Sequence, residues 1–234
     1  MEHASPTPPR LAATVVILRS PAEGGAPELL MLRRSSKSPF MPDAWVFPGG
    51  KVDAADGPAG SDLAFIAAAR RECQEECSLV LETQELRWFD TWITPAGEPR
   101  RFHARFFLVE IAAGGGAEAT ADGHETQDGR WGTATALLER WRAGEIDLPP
   151  PTACTLLRLA EPSWRALLRC PREQVVPPIL PKWVIEGERL VVVLPHDPLY
   201  AGLPGEGGPP CERLAGLPRR FVRDADGGVW RPIV

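Results

Sequence analysis

The sequence predicts a mixed α/β fold in which helices cover the faces of a mixed sheet. Short apolar runs rich in β-branched residues alternate with stretches rich in Gly and Pro, which is typical of strands joined by turns. Residues 62–77 contain neither Gly nor Pro and are rich in Ala, which indicates a helix. The strands and helices follow one another irregularly, and this order favours a mixed sheet.

The elements of the first half follow from local patterns. Strands are predicted at residues 11–20, 28–35, 44–50, 85–93 and 101–111. The first two would pair as a hairpin, and the third ends at Pro48 and two glycines. The helix at 62–77 would begin with Ser61 or Asp62 as its N-cap. A flexible connection is expected at 114–125.

The second half is predicted to contain two helices and two hairpins. Residues 129–145 begin extended and continue as an amphipathic helix, and a second helix resumes after a break at the three prolines 149–151. Hairpins are expected at 182–195 and 219–234, separated by irregular chain. The predicted organisation is a flexible tail (1–10), a core (11–146) and a helical and hairpin extension packed on that core (147–234).

Composition and charge narrow the class of protein. The chain has 234 residues, 44% of them hydrophobic, which is enough for one substantial domain with an extension. A net charge of −5 argues against a nucleic-acid partner but not against an anionic small molecule, because a metal can neutralise phosphate locally. The five cysteines include no CxxC pair, which disfavours a disulfide framework. No apolar run approaches 18 residues, so we expect a cytoplasmic protein without a membrane partner.

The stretch RRECQEECSLV places three carboxylates, Glu72, Glu75 and Glu76, within five residues of the predicted helix. Like charges at this spacing repel each other. At about 100° per residue the three acids share one arc beside the apolar face, which is predicted to contain Leu63, Ile66, Ala69, Cys73, Cys77 and Val80. Carboxylate oxygens are suitable ligands for Mg²⁺. A solvated acidic surface is the alternative explanation of the same pattern.

The sequence around these acids resembles the Nudix box, G-x5-E-x7-R-E-U-x-E-E-x-G-U, where U is apolar. The segments that carry the resemblance are FPGGKVD and RECQEECSL. The matching positions are Gly50, Arg71, Glu72, Cys73, Glu75, Glu76 and Leu79. The chain departs from the box in three ways. Seven extra residues separate Gly50 from Arg71, the first glutamate of the box falls on Leu63 beside Asp62, and Ser78 replaces the last glycine.

The segment KSPFMPDAWVFPGGKVDAAD is similar to the Nudix branch that includes the peroxisomal coenzyme A diphosphatases, whose boxes carry a long insertion. A second motif found in coenzyme A-cleaving members is half matched. Fitting positions are Leu30, Arg34, Ser35, Phe47, Pro48, Gly49 and Gly50, and departing positions are Leu32, Pro39 and Asp43.

The resemblance implies an α/β/α Nudix sandwich that hydrolyses a phosphoanhydride in a nucleoside diphosphate derivative. Glu72, Glu75, Glu76 and the Gly50 carbonyl would hold Mg²⁺ or Mn²⁺, and Arg71 would orient a glutamate. Glu125 would act as a base or an extra ligand. Arg34, Ser35, Phe47 and Gly49 would bind the substrate, with Arg34 on a phosphate.

Several alternatives stay open at the level of sequence. Coenzyme A or an acyl derivative is the first expected substrate, and ADP-ribose or a dinucleotide is the second. A non-catalytic Nudix-fold module that senses a nucleotide is an alternative of another class. A homodimer is also possible.

Overall fold

A computed structural model of the chain describes residues 7–20, 25–81, 84–112, 115–116, 123, 125–169, 176–224 and 228–233. Most of the predicted N-terminal tail and of the predicted connection at 114–125 lie outside these residues. Within them, seven strands form the main sheet. The strands are β1 (Arg10–Arg19), β2 (Glu28–Arg34), β3 (Trp45–Val46), β4 (Gly49–Lys51), β5 (Arg87–Ile93), β6 (Phe102–Ile111) and β7 (Thr126–Thr133).

The main sheet is mixed, as predicted. β1 lies at its centre and pairs in parallel with β6 along its whole length. The strand order is β3-β2-β1-β6-β5, with β4 paired to β1 and β7 paired to β2. The predicted hairpin of β1 and β2 is confirmed only at Leu18–Leu29 and Arg19–Glu28. Farther along, β4 occupies that edge of β1 at Ala12–Thr14, so most of β2 pairs with β7 instead.

The helices are α1 (Asp62–Cys77), α2 (Ala134–Arg142) and α3 (Pro150–Ala160). The side chain of Ser61 accepts a hydrogen bond from the N–H of Ala64, which confirms Ser61 as the N-cap of α1. The helix was expected to resume after a break at the prolines 149–151, but α3 already begins at Pro150. Proline is compatible with the first turn of a helix, where its missing N–H would have no intrahelical partner.

The alternation of β1 divides the core into two layers. Ala13, Val15 and Ile17 face α1 in one buried cluster. Val16 and Leu18 face the other cluster, which contains residues of α2, α3 and the C-terminal strands. The sheet is therefore covered on both faces, and the predicted α/β/α sandwich is confirmed.

The buried face of α1 differs from the predicted one. Leu63 is 74% exposed and Val80 is 55% exposed, so their assignment to the core was wrong. Ala69, Cys73 and Cys77 are buried as predicted, and Phe65 completes the buried face in place of Leu63. Phe65 is the largest apolar side chain of the helix, and turning it onto the sheet rotates Leu63 into solvent. Val80 lies beyond the end of the helix, where helical periodicity no longer applies.

The C-terminal part contains a second, antiparallel sheet in the order β11-β10-β9-β8. Its strands are β8 (Lys182–Glu186), β9 (Arg189–Val193), β10 (Arg220–Asp224) and β11 (Arg231–Ile233). Both predicted hairpins are confirmed by the pairing of β8 with β9 and of β10 with β11. Phe221 and Trp230 join the same buried cluster as Val16 and Leu18. The division of the chain at residue 147 stays a prediction.

Among the described residues, no helix has the length and apolar character needed to cross a membrane.

Candidate active site

The start of β4 brings two glycines, Gly49 and Gly50, against α1. The N–H of Gly49 donates a hydrogen bond of 2.9 Å to Oε2 of Glu76. Gly49 has a φ of 154°, and a Cβ there would lie 2.3 Å from the carbonyl oxygen of Ala13. A Cβ at Gly50 would lie 2.4 Å from the carboxylate of Glu72. Gly49 therefore requires glycine, because it packs directly against the backbone of β1, whereas a side chain at Gly50 would displace the carboxylate of Glu72.

The three acids of α1 have unequal environments. Glu76 is 5% exposed, whereas the side chains of Glu72 and Glu75 are 12% and 58% exposed. The pKa of Glu76 is raised to about 8, mainly by burial and also by the charges of Glu72 and Glu125. The hydrogen bond from Gly49 and the charge of Arg34 act in the opposite direction and lower it. Burial also raises the pKa of Glu72, although Arg71 opposes this. Keeping both acids charged here costs free energy that a bound cation would offset.

Arg71 connects these acids to the loop before the helix. Its Nη1 donates to Glu72 Oε1 at 2.9 Å and to Glu75 Oε2 at 3.0 Å. Its Nε and Nη2 donate to the two carboxylate oxygens of Asp56 at 3.0 and 2.9 Å, and Nη2 also donates to the Lys51 carbonyl. A guanidinium bonded on three sides is fixed in orientation. Arg71 was expected to orient one glutamate, and it contacts two, Glu72 and Glu75.

The structure identifies Asp56 as an acid that the sequence comparison missed. Counting back from Arg71 placed the first glutamate of the box on Leu63, but Leu63 points into solvent. The neighbouring Asp62 pairs with Arg105 instead. Asp56 is only 5% exposed at its side chain, and the hydrogen bond from Arg71 lowers its pKa. Counting forward from Gly50 would have found it, since five residues separate the two.

Arg34 and Ser35 lie at the end of β2 beside the acids. Nε of Arg34 donates to the Phe40 carbonyl at 3.1 Å, and Nη2 donates to Oγ of Ser38 at 2.8 Å. Arg34 therefore braces the loop that follows it while lining the same cleft as Glu76. The backbone N–H of Ser35 donates to the Glu125 carbonyl at 2.9 Å, so Ser35 sets the position of that segment.

Phe47 and Glu125 complete the set of predicted site residues. Phe47 is 2% exposed and belongs to the core cluster on the α2 side, so it offers little surface to the cleft that it lines. Glu125 lines the cleft, and its charge raises the pKa of both Glu72 and Glu76. The structure therefore brings Glu125 near the acids of α1. The substrate-binding and catalytic roles of all these residues stay predictions.

Apart from Asp56, these groups border one cleft of about 1200 Å³. The acids of α1 occupy one part of its wall. Another part comes from the second sheet, through Trp183, Leu190, Val192 and Arg223. No pattern in the sequence indicated this contribution. The alternating pattern of β8 and β9 predicts a hairpin, but it does not show what the hairpin packs against.

The donor set agrees with a hard divalent cation. Carboxylate and carbonyl oxygens are the ligands that Mg²⁺ and Mn²⁺ prefer. Burial and the neighbouring acids raise the pKa values of Glu72 and Glu76, and a bound cation would offset the cost of keeping both carboxylates charged. Within the described part of the chain, no three His, Cys, Asp or Glu side chains already form a compact metal cluster. Arg71 engages one oxygen each of Glu72 and Glu75.

The fold and this arrangement of acids define the class of the protein. Residues 8–150 match the NUDIX domain family. The chain belongs to this family, and the expected enzyme class, a Nudix hydrolase, is confirmed at the level of the family.

Individual relatives agree with this assignment. A Caenorhabditis elegans protein named as a nudix hydrolase is 30% identical over 170 residues, which cover 57% of this chain and 56% of the relative. A Gallus gallus protein named acyl-coenzyme A diphosphatase is 26% identical over 342 aligned positions, covering 96% of this chain and 86% of the relative. The chain therefore spans little more than half of the worm protein.

A solved structure shows the same fold. The crystal structure of a NUDIX hydrolase from Alicyclobacillus acidocaldarius matches with a TM-score of 0.57 and 25% sequence identity. The match covers 71% of this chain and 94% of that chain.

Proposed function

We propose that the chain hydrolyses a phosphoanhydride bond in a nucleoside diphosphate derivative, with coenzyme A or an acyl-coenzyme A as the first substrate. The observation that carries the proposal is the contact of Glu72 and Glu76 with Gly50 and Gly49 at the start of β4, at the wall of a large cleft. A buried pair of acids with raised pKa values is typical of a functional site.

We assign different roles to the three acids of α1. Glu72 and Glu76, which are buried, would hold the metal together with the Gly50 carbonyl, and Glu75 would complete the site from the exposed side. Arg71 keeps Glu72 and Glu75 in place through its hydrogen bonds. Glu125, which lines the same cleft, would accept a proton from the attacking water or bind a further ion.

Nudix hydrolases generally use divalent metal ions, and Mg²⁺ or Mn²⁺ is proposed for this chain. When bound, the ion supplies positive charge for the diphosphate and the acidity that activates water. Arg34 would add a guanidinium to the phosphate-binding wall.

The choice of substrate rests on two observations. The coenzyme A motif is half matched at Arg34, Ser35 and Phe47. The relative named acyl-coenzyme A diphosphatase aligns with 96% of this chain, including the C-terminal part. A cytoplasmic location and a homodimer stay predictions.

The test is a screen of phosphoanhydride substrates with Mg²⁺, with Mn²⁺ and with a chelator. Coenzyme A, an acyl-coenzyme A, ADP-ribose and a diadenosine polyphosphate cover the alternatives. We expect metal-dependent release of 3′,5′-ADP from the first two. Preference for ADP-ribose or the dinucleotide would transfer the proposal to that substrate class. Binding without turnover in all four cases would support a nucleotide-sensing module instead.

Substitution of Glu76 tests the site itself. Glu76→Gln should lower kcat by at least about 100-fold, because it removes a charge that stabilises the metal and the transition state. Glu139→Gln is the matched control, since Glu139 is an exposed glutamate on α2. Near-normal turnover of Glu76→Gln would contradict the assignment of the site.

A further inference from the structure

The second sheet has two faces with different partners. Val184, Val191 and Val193 point to one side, where they pack against Tyr200 in a small cluster of their own. Because side chains alternate along a strand, Trp183 on β8 and Leu190 and Val192 on β9 point to the other side. Those last three residues line the cleft. The sheet thus turns one of its faces toward the candidate active site.

The most prominent residue of this face is held rigidly. Nε1 of Trp183 donates a hydrogen bond of 2.8 Å to the carbonyl of Ala96. Gly97 lies against the same ring, since a Cβ there would be 3.0 Å from Cζ2. The indole is therefore fixed between β8 and the segment that connects β5 with β6. A wall whose side chains are already ordered loses little conformational entropy when a ligand binds.

The apolar wall and the acids belong to one continuous cleft. Its volume of about 1200 Å³ is larger than the roughly 300–1000 Å³ of common small-molecule sites. A substrate with its diphosphate at Glu72 and Glu76 leaves the part of the cleft beside the second sheet for another portion of the same molecule. Leu190 and Val192 cannot form side-chain hydrogen bonds, so they suit methylene groups better than the polar edge of a base.

We propose that this face of the second sheet, formed by Trp183, Leu190 and Val192, binds the acyl chain of the substrate. The protein would therefore prefer acylated coenzyme A over free coenzyme A. The inference rests on the proposed diphosphatase function and adds a specificity to it. The diphosphate would be held by the acids and the metal, and the acyl chain would lie along the sheet. Each methylene buried there should strengthen binding about fourfold.

The experiment compares coenzyme A with its acetyl, hexanoyl and decanoyl esters on the full chain with Mg²⁺. We expect kcat/KM to rise at least about 10-fold from the acetyl to the decanoyl ester. Leu190→Gln should remove this rise while leaving turnover of free coenzyme A close to that of the wild type. Ile185→Gln is the matched control, because Ile185 is on the same face but is 65% exposed and outside the cleft.

The outcomes separate the two proposals. Turnover that does not depend on acyl-chain length, or an unchanged chain-length profile in Leu190→Gln, would refute acyl binding by the second sheet. Either result would leave the diphosphatase function intact. Absence of turnover on the whole series would overturn the diphosphatase function. Calorimetric titration of the protein with decanoyl-coenzyme A and coenzyme A would then still test the wall, and equal affinities would refute it. If circular dichroism shows that Leu190→Gln does not fold, Leu190→Phe is tested instead. The larger side chain should shift the preference to a shorter acyl chain.

Discussion

At the scale of single residues, Arg71 and Asp56 determine how the acids of α1 are held. Asp56 accepts two hydrogen bonds from Arg71, which in turn contacts Glu72 and Glu75. Asp56 does not line the cleft itself, so it acts on the site through Arg71. Residues that orient metal-binding groups in this way commonly contribute 10- to 100-fold to metal affinity or activity.

Asp56→Ala should therefore lower kcat/KM by about 10- to 100-fold and weaken activation by Mg²⁺. Steady-state kinetics over a range of Mg²⁺ concentrations measures both effects. Asp62→Ala is the control, because Asp62 is the acid next to Leu63, the position that counting back from Arg71 gave for the first acid of the box. Equal losses in the two variants, or a loss only in Asp62→Ala, would refute the role given to Asp56.

At the scale of the element, the end of α1 is strained at one position. Ser78 caps the helix with a φ of 59°, in the left-handed region where the Nudix box has glycine. The N–H groups of Ser78 and Leu79 donate to the carbonyls of Gln74 and Cys73, so the helix still ends in the hydrogen-bonded turn that glycine usually permits. A residue with a Cβ adopts this conformation at a cost of about 1–2 kcal/mol.

Ser78→Gly should stabilise the protein by about 0.5–1 kcal/mol. The substitution relieves this strain, and the greater conformational freedom of glycine in the unfolded chain offsets only part of the gain. The free energy of unfolding in urea is the measurement. Ser78→Ala keeps the Cβ and should give no gain. If Ser78→Gly destabilises the protein, the serine side chain itself must stabilise the end of the helix.

At the scale of the whole molecule, the buried carboxylate of Asp90 joins distant parts of the chain. It lies on β5 and accepts hydrogen bonds from Arg158 of α3 at 2.9 Å and from Arg213 of the C-terminal part at 3.1 Å. It also accepts a hydrogen bond from the indole of Trp92, which lines the cleft. Burial raises the pKa of Asp90, while the two arginines lower it.

Asp90→Asn should destabilise the protein by about 3–5 kcal/mol, because two partly buried guanidinium groups would lose their countercharge. Urea unfolding again provides the measurement. The exposed pair of Asp128 and Arg130 offers the control, and Asp128→Asn should change stability by less than about 1 kcal/mol. A small effect of Asp90→Asn would show that apolar packing alone holds the C-terminal part to the core.

The sequence by itself determined the local elements and the class of the protein. The spacing of Arg71, Glu72, Glu75 and Glu76, with Gly50 upstream, sufficed for the family despite the insertion between them, since a short motif encodes a local geometry. The N-cap at Ser61 and both C-terminal hairpins also followed from local patterns. Helical periodicity predicted the wrong burial for Leu63 and Val80. Leu63 is exposed because burial depends on what the helix packs against, and Val80 lies beyond the end of α1.

Only the tertiary structure decided which distant residues meet at the cleft. It showed that Asp56, not the neighbourhood of Leu63, holds Arg71, because a loop insertion changes the distance along the chain without changing the position in space. It also placed Trp183 and Leu190 in the same cleft as Glu76, more than 100 positions away in the sequence. Such contacts depend on how sheets and helices pack, and no local pattern of residues carries that information.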